Sequence, residues 1–353
     1  MLMNLYIQTL AAFLLSSLFV YILIPAIVRL SIAKKLFDVP NERRVNKTVV
    51  PNLGGIALFA GISISSLLCV QEIAFTDLRY IVVAMIIMFY TGLKDDILMI
   101  TAKKKFLAQI LTAIILVVLG NIRITNLHGI LGLNEISYVW SSLLSVLIIV
   151  AIINSINLID GIDGLAGGLG VLISAFFGST FLMDGLFEYA ILSFSITGGL
   201  ISFLVFNVFG KENKIFMGDT GALLLGTLFS VLAIRYNEFA ITSNNCLYSP
   251  ALSFAVLSVP VVDMARVFCV RSIQDRSPFK ADMSHIHHKL LRLGFSQRKS
   301  AATIISMNIL IVCLVYFLRD LDIHILLVMI VLLELFFTFL ADFVIGKRIK
   351  KQI

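Results

Sequence analysis

The chain has 353 residues, of which 59% are apolar and 14% are charged. Soluble proteins carry roughly 25% charged residues, so this composition excludes an ordinary soluble domain and indicates a protein that crosses a membrane several times. The net charge of +7 would suggest nucleic acid as the partner of a soluble chain. Here we expect basic loops on one side of a membrane and no nucleic-acid partner. The four cysteines are scattered and predict neither disulfides nor a zinc site.

Hydropathy predicts eleven membrane-spanning helices, each near the ~20 apolar residues that a bilayer requires. In chain order they cover residues 5–29, 53–70, 78–94, 106–121, 139–157, 165–183, 187–209, 219–235, 249–269, 299–318 and 324–345. Residues 122–138 are expected to form a small hairpin outside the membrane. No internal repeat or soluble domain is evident, so we predict a single all-α transmembrane domain over residues 1–353.

The basic residues divide unevenly between the two sides that these spans define. The connections after spans 1, 3, 5, 7 and 9 and the segment after span 11 hold 24 of the 28 Lys and Arg residues. The other side holds Arg79, Arg123, Arg235 and Arg319. Because cytoplasmic loops are enriched in Lys and Arg, we predict that the N-terminus lies outside and the C-terminus in the cytoplasm. The unusual acidic and histidine-rich motifs all fall on the predicted cytoplasmic side.

The first such motif ends span 3. Asp95 and Asp96 are adjacent carboxylates, which repel each other and favour a bound cation or a shared proton, although a solvated helix end has the same pattern. The lysine cluster 103–105 follows directly. It suits either a phosphate site or contact with lipid head groups.

The second motif, NLIDGIDGLAGG, follows span 5. Asp160 and Asp163 have the spacing of a shared helical face, and Asn154 and Asn157 add amide oxygens one turn earlier. Oxygen ligands of this kind suit Mg²⁺ together with substrate phosphates. The alternative is a glycine-containing loop with an aspartate cap for the next helix.

The third motif, KIFMGDTG, opens span 8. Asp219 is either a cap at this helix N-terminus or a group that shares a metal ion with a substrate phosphate. Phe216 is either an anchor at the membrane surface or a platform for a planar base.

The fourth motif, SHIHHKL, contains His285, His287 and His288. A zinc site is one reading, but no cysteine pair accompanies these histidines. Basic residues surround them, so an anion site, for instance for a diphosphate, is favoured over zinc, and a solvated basic loop is the alternative.

Three further acids lie in or near the last spans. Asp263 is expected to pair with Arg266, while Glu334 and Asp342 have no role that the sequence explains. An ionisable residue inside the membrane is a candidate functional residue by default.

Over nearly its whole length the chain resembles the polyprenyl-phosphate N-acetylhexosamine-1-phosphate transferases. The stretches that carry the resemblance are GLKDD (92–96), NSINLIDGIDGLAGG (154–168), FMGDTG (216–221) and PFKADMSHIHHKLLRLGFS (278–296). The H-x-H-H pattern resembles the branch that uses UDP-N-acetylglucosamine. The branch that uses UDP-muramoyl-pentapeptide typically has three consecutive histidines.

This resemblance implies a multi-pass enzyme of the inner (plasma) membrane with its active site on the cytoplasmic face. The expected reaction moves N-acetylglucosamine 1-phosphate from UDP-GlcNAc to undecaprenyl phosphate, releases UMP and initiates a cell-envelope glycan. The expected cofactor is Mg²⁺, for which Mn²⁺ substitutes, and a homodimer is left open. The alternatives are a phospho-MurNAc-pentapeptide transferase and, from another class, a secondary transporter of an anionic solute.

Carried over by position, the resemblance also implies individual roles. Asp219 and Asn157 are expected to hold the metal, and Asp95, Asp96 and His287 to be catalytic. Phosphate binding is expected of Lys105 and Lys47, and nucleotide-sugar binding of Asp160, Asp163, Phe216, His285 and His288. The first loop departs from the family pattern because Asn46 stands where a histidine is usual.

Overall fold

In the computed structural model the described residues are 2–36, 50–70, 76–242, 249–275 and 284–350. Within them the chain is helical apart from one isolated antiparallel bridge, which joins Asn126 and Glu135. That bridge lies inside the segment predicted to form a hairpin. Lys47, predicted to bind phosphate, lies outside the described residues, as does the first-loop stretch 43–46.

The twelve α-helices of the described chain follow the predicted spans, with one short addition. They are α1 (Leu2–Ala33), α2 (Gly54–Cys69), α3 (Thr76–Leu98), α4 (Ala102–Ile114), α5 (Tyr138–Ile159), α6 (Leu165–Met183), α7 (Phe187–Phe209), α8 (Gly218–Thr242), α9 (Ser249–Ile273), α10 (Ile286–Arg292), α11 (Gln297–Phe317) and α12 (Ile323–Lys350). A π-helical turn, Ile115–Leu119, continues α4.

Each predicted span coincides with one of these helices, and α10 is the short helix that hydropathy did not predict. Eight helices of the described chain are long and apolar enough to cross a membrane, which makes this a multi-pass membrane protein. The total of eleven spans and the orientation of the two termini stay predictions. Helix α10 was missed because its seven residues, IHHKLLR, are too few and too polar to give a hydropathy signal.

Helix α8 lies at the centre of the bundle. It packs against α2, α3, α5, α6 and α9, and it is the most buried of the candidate spans, whereas α1 and α12 are among the least buried. The large apolar side chains of Phe229 in α8, Phe177 in α6 and Phe203 in α7 are fully buried.

Two glycines allow neighbouring helices to approach the beginning of α8. A Cβ atom on Gly92 of α3 would lie 2.4 Å from the Cα atom of Thr220, and one on Gly55 of α2 would lie 2.2 Å from the backbone nitrogen of Gly221. Real Cβ atoms do not approach backbone this closely, so both positions require glycine. The close packing brings the polar ends of α2, α3 and α8 together.

Candidate active site

The site is built around the first turn of α8. Gly218 begins the helix with a φ of +71°, in the left-handed region that favours glycine. A side chain there would also collide with the backbone oxygen of Asn52, since a Cβ would lie 1.9 Å from it. This turn presents the Asp219 carboxylate and exposes the free backbone N–H groups of a helix N-terminus.

Asp96 of α3 satisfies those free N–H groups. Its Oδ1 accepts hydrogen bonds from the backbone nitrogen of Asp219 (2.9 Å) and from the side-chain amide of Asn52 (3.1 Å). Its Oδ2 accepts from the backbone nitrogen (2.9 Å) and the hydroxyl (2.5 Å) of Thr220. Asp96 therefore caps a helix that lies more than 120 residues further along the chain, which fixes α3 against α8.

Lys105 of α4 lies among three oxygen atoms contributed by three other helices. Its Nζ is 2.6 Å from Asp219 Oδ1, 3.0 Å from Asp95 Oδ2 and 3.4 Å from Asn157 Oδ1. The Asn157 amide also donates to the Asp219 carboxylate, and Asp95 Oδ1 accepts from the backbone nitrogen of Ile100 (2.8 Å). These contacts gather the ends of α3, α4, α5 and α8 around one positive charge.

The same contacts test whether the residues fit a divalent cation. The Lys105 ammonium, which is itself a cation, lies among two carboxylate oxygens and one amide oxygen. These are the ligand types that Mg²⁺ prefers. Among the described residues no group of three or more His, Cys, Asp or Glu side chains is arranged to hold a metal ion. The donor set therefore fits an ion that keeps most of its waters or shares substrate oxygens.

Asn154 and Asn157, both named from the sequence as possible sources of amide oxygens for a metal ion, have different partners. Asn154 exchanges two hydrogen bonds with Gln109 of α4, at 2.8 and 3.2 Å. Those bonds use its amide to join α4 to α5, so only Asn157 directs its side chain to Asp219.

Asp160 ends α5 beside this group of acids. Burial, together with the nearby negative charges of Asp219, Asp96 and Asp163, raises the pKa of its carboxyl to about 7. The cause is an excess of carboxylates in a confined space, which also favours a bound cation.

Asp163 lies in the same turn but has a basic partner. Its Oδ2 is 2.5 Å from Nζ of Lys214, in the loop before α8. The same ammonium lies 5.8 Å from the centre of the half-buried Phe216 ring. The structure thus brings together Asp163 and Phe216, two of the residues predicted to bind the nucleotide sugar.

Asn207 holds the backbone that surrounds them. Its side chain accepts a hydrogen bond from the backbone nitrogen of Gly164 (2.7 Å) and donates one to the backbone oxygen of Ile215 (2.9 Å). It ties the acidic turn to the loop before α8, a positioning contact that the sequence did not reveal.

The histidine segment is anchored to α9. His285 Nδ1 is 2.8 Å from Asp263 Oδ2, and Asp263 Oδ1 accepts from Arg266 (2.6 Å) and from the backbone nitrogen of Ile286 (3.2 Å). The expected pairing of Asp263 with Arg266 is confirmed. His285 is thus occupied by a partner within the protein, and its role in nucleotide-sugar binding stays a prediction.

His287 lies two residues further on and is 1% exposed. Burial, together with the charges of His288 and His285, lowers the pKa of its imidazole to about 3. His287 is therefore neutral at physiological pH and offers one hydrogen-bond donor and one acceptor.

The two unexplained acids of the last span have partners away from this site. Glu334 Oε1 accepts from the hydroxyl of Ser258 (2.9 Å), and Asp342 Oδ2 is 2.7 Å from Nζ of Lys289. Asp342 therefore fastens α10 to α12.

Comparison with known proteins agrees with the motifs. Residues 78–237 match the family described as Glycosyl transferase family 4. The chain is 32% identical over 300 residues to the "Probable undecaprenyl-phosphate N-acetylglucosaminyl 1-phosphate transferase" of Bacillus subtilis (strain 168), covering 84% of this chain and 81% of that protein.

Two enterobacterial proteins called "Undecaprenyl-phosphate alpha-N-acetylglucosaminyl 1-phosphate transferase" are also similar. The protein of Salmonella typhi is 27% identical over 296 residues, covering 83% of this chain and 78% of that protein. The protein of Escherichia coli (strain K12) is 28% identical over 274 residues, covering 76% and 73%. Because the bacillary match is above 30% identity and spans most of both chains, this chain belongs to Glycosyl transferase family 4.

Proposed function

We propose that this protein transfers N-acetylglucosamine 1-phosphate from UDP-GlcNAc to undecaprenyl phosphate, with release of UMP. The observation that carries the proposal is the convergence of Asp95, Asp219, Asn157 and Lys105 from four helices around one cation position. A site that gathers acids around a cation suits a reaction in which two negatively charged phosphates must meet. The names of the related proteins indicate the same reaction.

The reaction exchanges one phosphoanhydride for another. An oxygen of the lipid phosphate attacks the sugar-bearing phosphorus of UDP-GlcNAc, and the bond from that phosphorus to the oxygen of UMP breaks. A phosphate monoester with a second pKa near 6 is largely dianionic at neutral pH, so the attack needs no strong base. The task of the protein is to position the two phosphates and to screen their charges.

We assign the metal position to Asp219 and Asn157, with Mg²⁺ as the expected ion and Mn²⁺ as its substitute. When bound, this ion would neutralise part of the diphosphate charge and withdraw electrons from the leaving phosphate. Lys105 would add a second positive charge beside the ion, and it is assigned to phosphate binding together with Lys47.

The two neighbouring acids receive different roles. Asp96 is saturated by four donors from Asn52, Asp219 and Thr220, so it positions the first turn of α8. Asp95 Oδ2 lies 3.0 Å from Nζ of Lys105, the group assigned to phosphate binding, so Asp95 is the better candidate to accept a proton from the lipid phosphate.

Donor recognition is assigned to Phe216 and to the acidic turn between α5 and α6. The half-buried Phe216 ring offers a face for the uracil, and Asp160 and Asp163 lie in the adjoining turn. Neutral His287 would hydrogen-bond to the diphosphate or to the sugar. With the basic loops on the same side, we place the site at the cytoplasmic face of the inner membrane.

The test is purified protein with undecaprenyl phosphate, Mg²⁺ and a panel of UDP-N-acetylhexosamines plus UDP-muramoyl-pentapeptide, scored by UMP release. We expect release with UDP-GlcNAc and the corresponding lipid diphosphate as the second product. Release only with the pentapeptide donor would move the protein to the peptidoglycan branch, and no release with any donor would overturn the proposal.

Exchange of labelled UMP into UDP-GlcNAc tests the single-step mechanism separately. Since one anhydride replaces another, we expect ready reversal by UMP, and exchange that requires the lipid. Exchange without lipid would demonstrate a covalent enzyme intermediate instead of direct attack.

A further inference from the structure

The imidazole of His287 lies in an enclosed place between two parts of the chain that are far apart in sequence. The side chain is 1% exposed, and neither of its ring nitrogens has a hydrogen-bond partner within the described part of the protein. A buried polar group without a protein partner is costly. Its location therefore has to be imposed by the groups that pack around it.

One of these groups is the acidic turn between α5 and α6. A Cβ atom on Gly161 would lie 2.2 Å from Nε2, 2.8 Å from Cε1 and 3.0 Å from Cδ2 of His287. The edge of the imidazole thus occupies the space that any side chain at position 161 would need. Gly161 is not among the positive-φ residues, so alanine suits its backbone and only the contact with His287 opposes it.

The histidine segment has little freedom to withdraw from this turn. The His285 ring lies parallel to that of His287 with centroids 5.7 Å apart, and Asp263 of α9 holds both His285 and the backbone nitrogen of Ile286. At the far end of α10 the ion pair between Lys289 and Asp342 fixes the helix to α12. Because α10 is held at both ends, an added Cβ at position 161 would push the imidazole of His287 aside more easily than it would move the whole helix.

We propose that Gly161 is a positioning residue for the transfer reaction: its missing side chain sets the place of the His287 imidazole beside the Asp160–Asp163 turn. The proposal rests on the role of His287 in the proposed function. It assigns Gly161 a task that differs from turn flexibility, since its backbone does not require glycine.

The primary test compares Gly161→Ala with Gly168→Ala in purified protein. A displacement of about 1 Å at a catalytic group can cost on the order of 100-fold in rate, so we expect Gly161→Ala to lower kcat at least tenfold. At Gly168 the added Cβ meets the far end of the Ile305 side chain, which can move, so Gly168→Ala should keep nearly full turnover. Normal turnover of Gly161→Ala would overturn the proposal.

A double-mutant cycle separates action through His287 from a general defect. His287→Ala removes the ring and leaves room for the new Cβ. We therefore expect Gly161→Ala to lower kcat in the wild-type background and to have no further effect in His287→Ala. Losses that multiply in the double variant would show that Gly161 acts independently of His287 and would overturn the proposal.

The same cycle measured by thermal unfolding needs no substrate. Gly161→Ala should lower the Tm of the wild type, or prevent its folding, and this defect should disappear in the His287→Ala background. That result would stand even if the protein released no UMP, so a failure of the proposed function is distinguishable from a failure of this contact. An equal loss of Tm in both backgrounds would contradict it.

Discussion

The helices α3 and α8 run antiparallel and have charged residues at both ends of their contact. Acidic and basic side chains are matched at one end, and acidic side chains are in excess at the other. At one end Asp77 pairs with Arg235 at 2.5 Å and also accepts a hydrogen bond from the Tyr189 hydroxyl. At the other end the carboxylates of Asp95 and Asp219 both contact the single ammonium of Lys105. Asp96, Asp160 and Asp163 lie in the same neighbourhood.

The difference between the two ends distinguishes a structural ion pair, at the Asp77 end, from a candidate functional site, at the Asp219 end. One acid matched by one base satisfies both charges and ties two helices together, as structural ion pairs do. An excess of carboxylates over the neighbouring lysines, Lys105 and Lys214, leaves negative charge uncompensated, which costs free energy unless a cation or a proton is supplied. Such a group is a candidate functional site on physical grounds.

Replacing Asp219 by Asn should have the largest effect. The change keeps the side-chain shape but removes the charge that faces Lys105 and the proposed metal, so we expect turnover to fall by about 1,000-fold. UMP release under saturating substrates measures it. Full turnover by folded Asp219→Asn would remove this residue from the proposed mechanism.

Lys105→Met should lower turnover by about 100-fold, because the phosphates lose a positive charge. It should also strengthen Mn²⁺ binding several-fold, since the ammonium no longer lies among the oxygens that the metal would use. Lys104→Met is the matched control, because Lys104 is exposed on the same helix. Equal Mn²⁺ affinity in both variants and the wild type would contradict a shared cation position.

Asp96→Asn should lower turnover about tenfold through a small shift of the first turn of α8. Its amide group would face hydrogen-bond donors that now meet a carboxylate oxygen, so the Tm should fall as well. Turnover and Tm measured on the same preparation check this. A large loss of turnover with an unchanged Tm would instead make Asp96 a chemical participant.

The depressed pKa of His287 predicts how stability depends on pH. Its imidazole has a pKa of about 3 in the folded protein, below the ~6.5 of an unfolded chain. Between these values the unfolded state binds the extra proton, so this contribution to stability is complete above about pH 6.5 and falls at lower pH. His287→Gln should reduce the loss of Tm between about pH 7.5 and about pH 4.5. An unchanged pH dependence would mean that folding does not lower the pKa of His287.

Asp77→Asn, at the balanced end, should have the smallest effect on chemistry. It breaks the pair with Arg235, so we expect a lower Tm and turnover within about twofold of wild type. The comparison with Asp219→Asn is matched, because the two changes are identical and act on opposite ends of the same helix pair. A loss of turnover as large as that of Asp219→Asn would erase the distinction between the ends.

The helices and the gathering of motifs were accessible from sequence because each depends on local pattern. A run of apolar residues predicts a helix, and loop charges predict which ends share a side of the membrane. The partners of individual side chains were not accessible. The cap that Asp96 provides to α8 and the amide pair of Asn154 with Gln109 join residues 123 and 45 positions apart, with no signature in the intervening sequence.

The histidine segment shows the same limit. Its three imidazoles look equivalent in SHIHHKL, yet His285 is paired with Asp263 and His287 is buried and neutral. Both rings are buried, so their neighbours decide that difference: Asp263 of α9 beside His285 and Gly161 beside His287 lie elsewhere in the chain.

We expect the acid-rich end of α3 and α8 to hold a divalent cation that the balanced end does not. Titration of purified protein with Mn²⁺, followed by electron paramagnetic resonance, tests it without any substrate. We predict one Mn²⁺ site in the wild type and in Asp77→Asn, and its loss in Asp219→Asn. Equal Mn²⁺ binding by Asp219→Asn and the wild type would contradict the account.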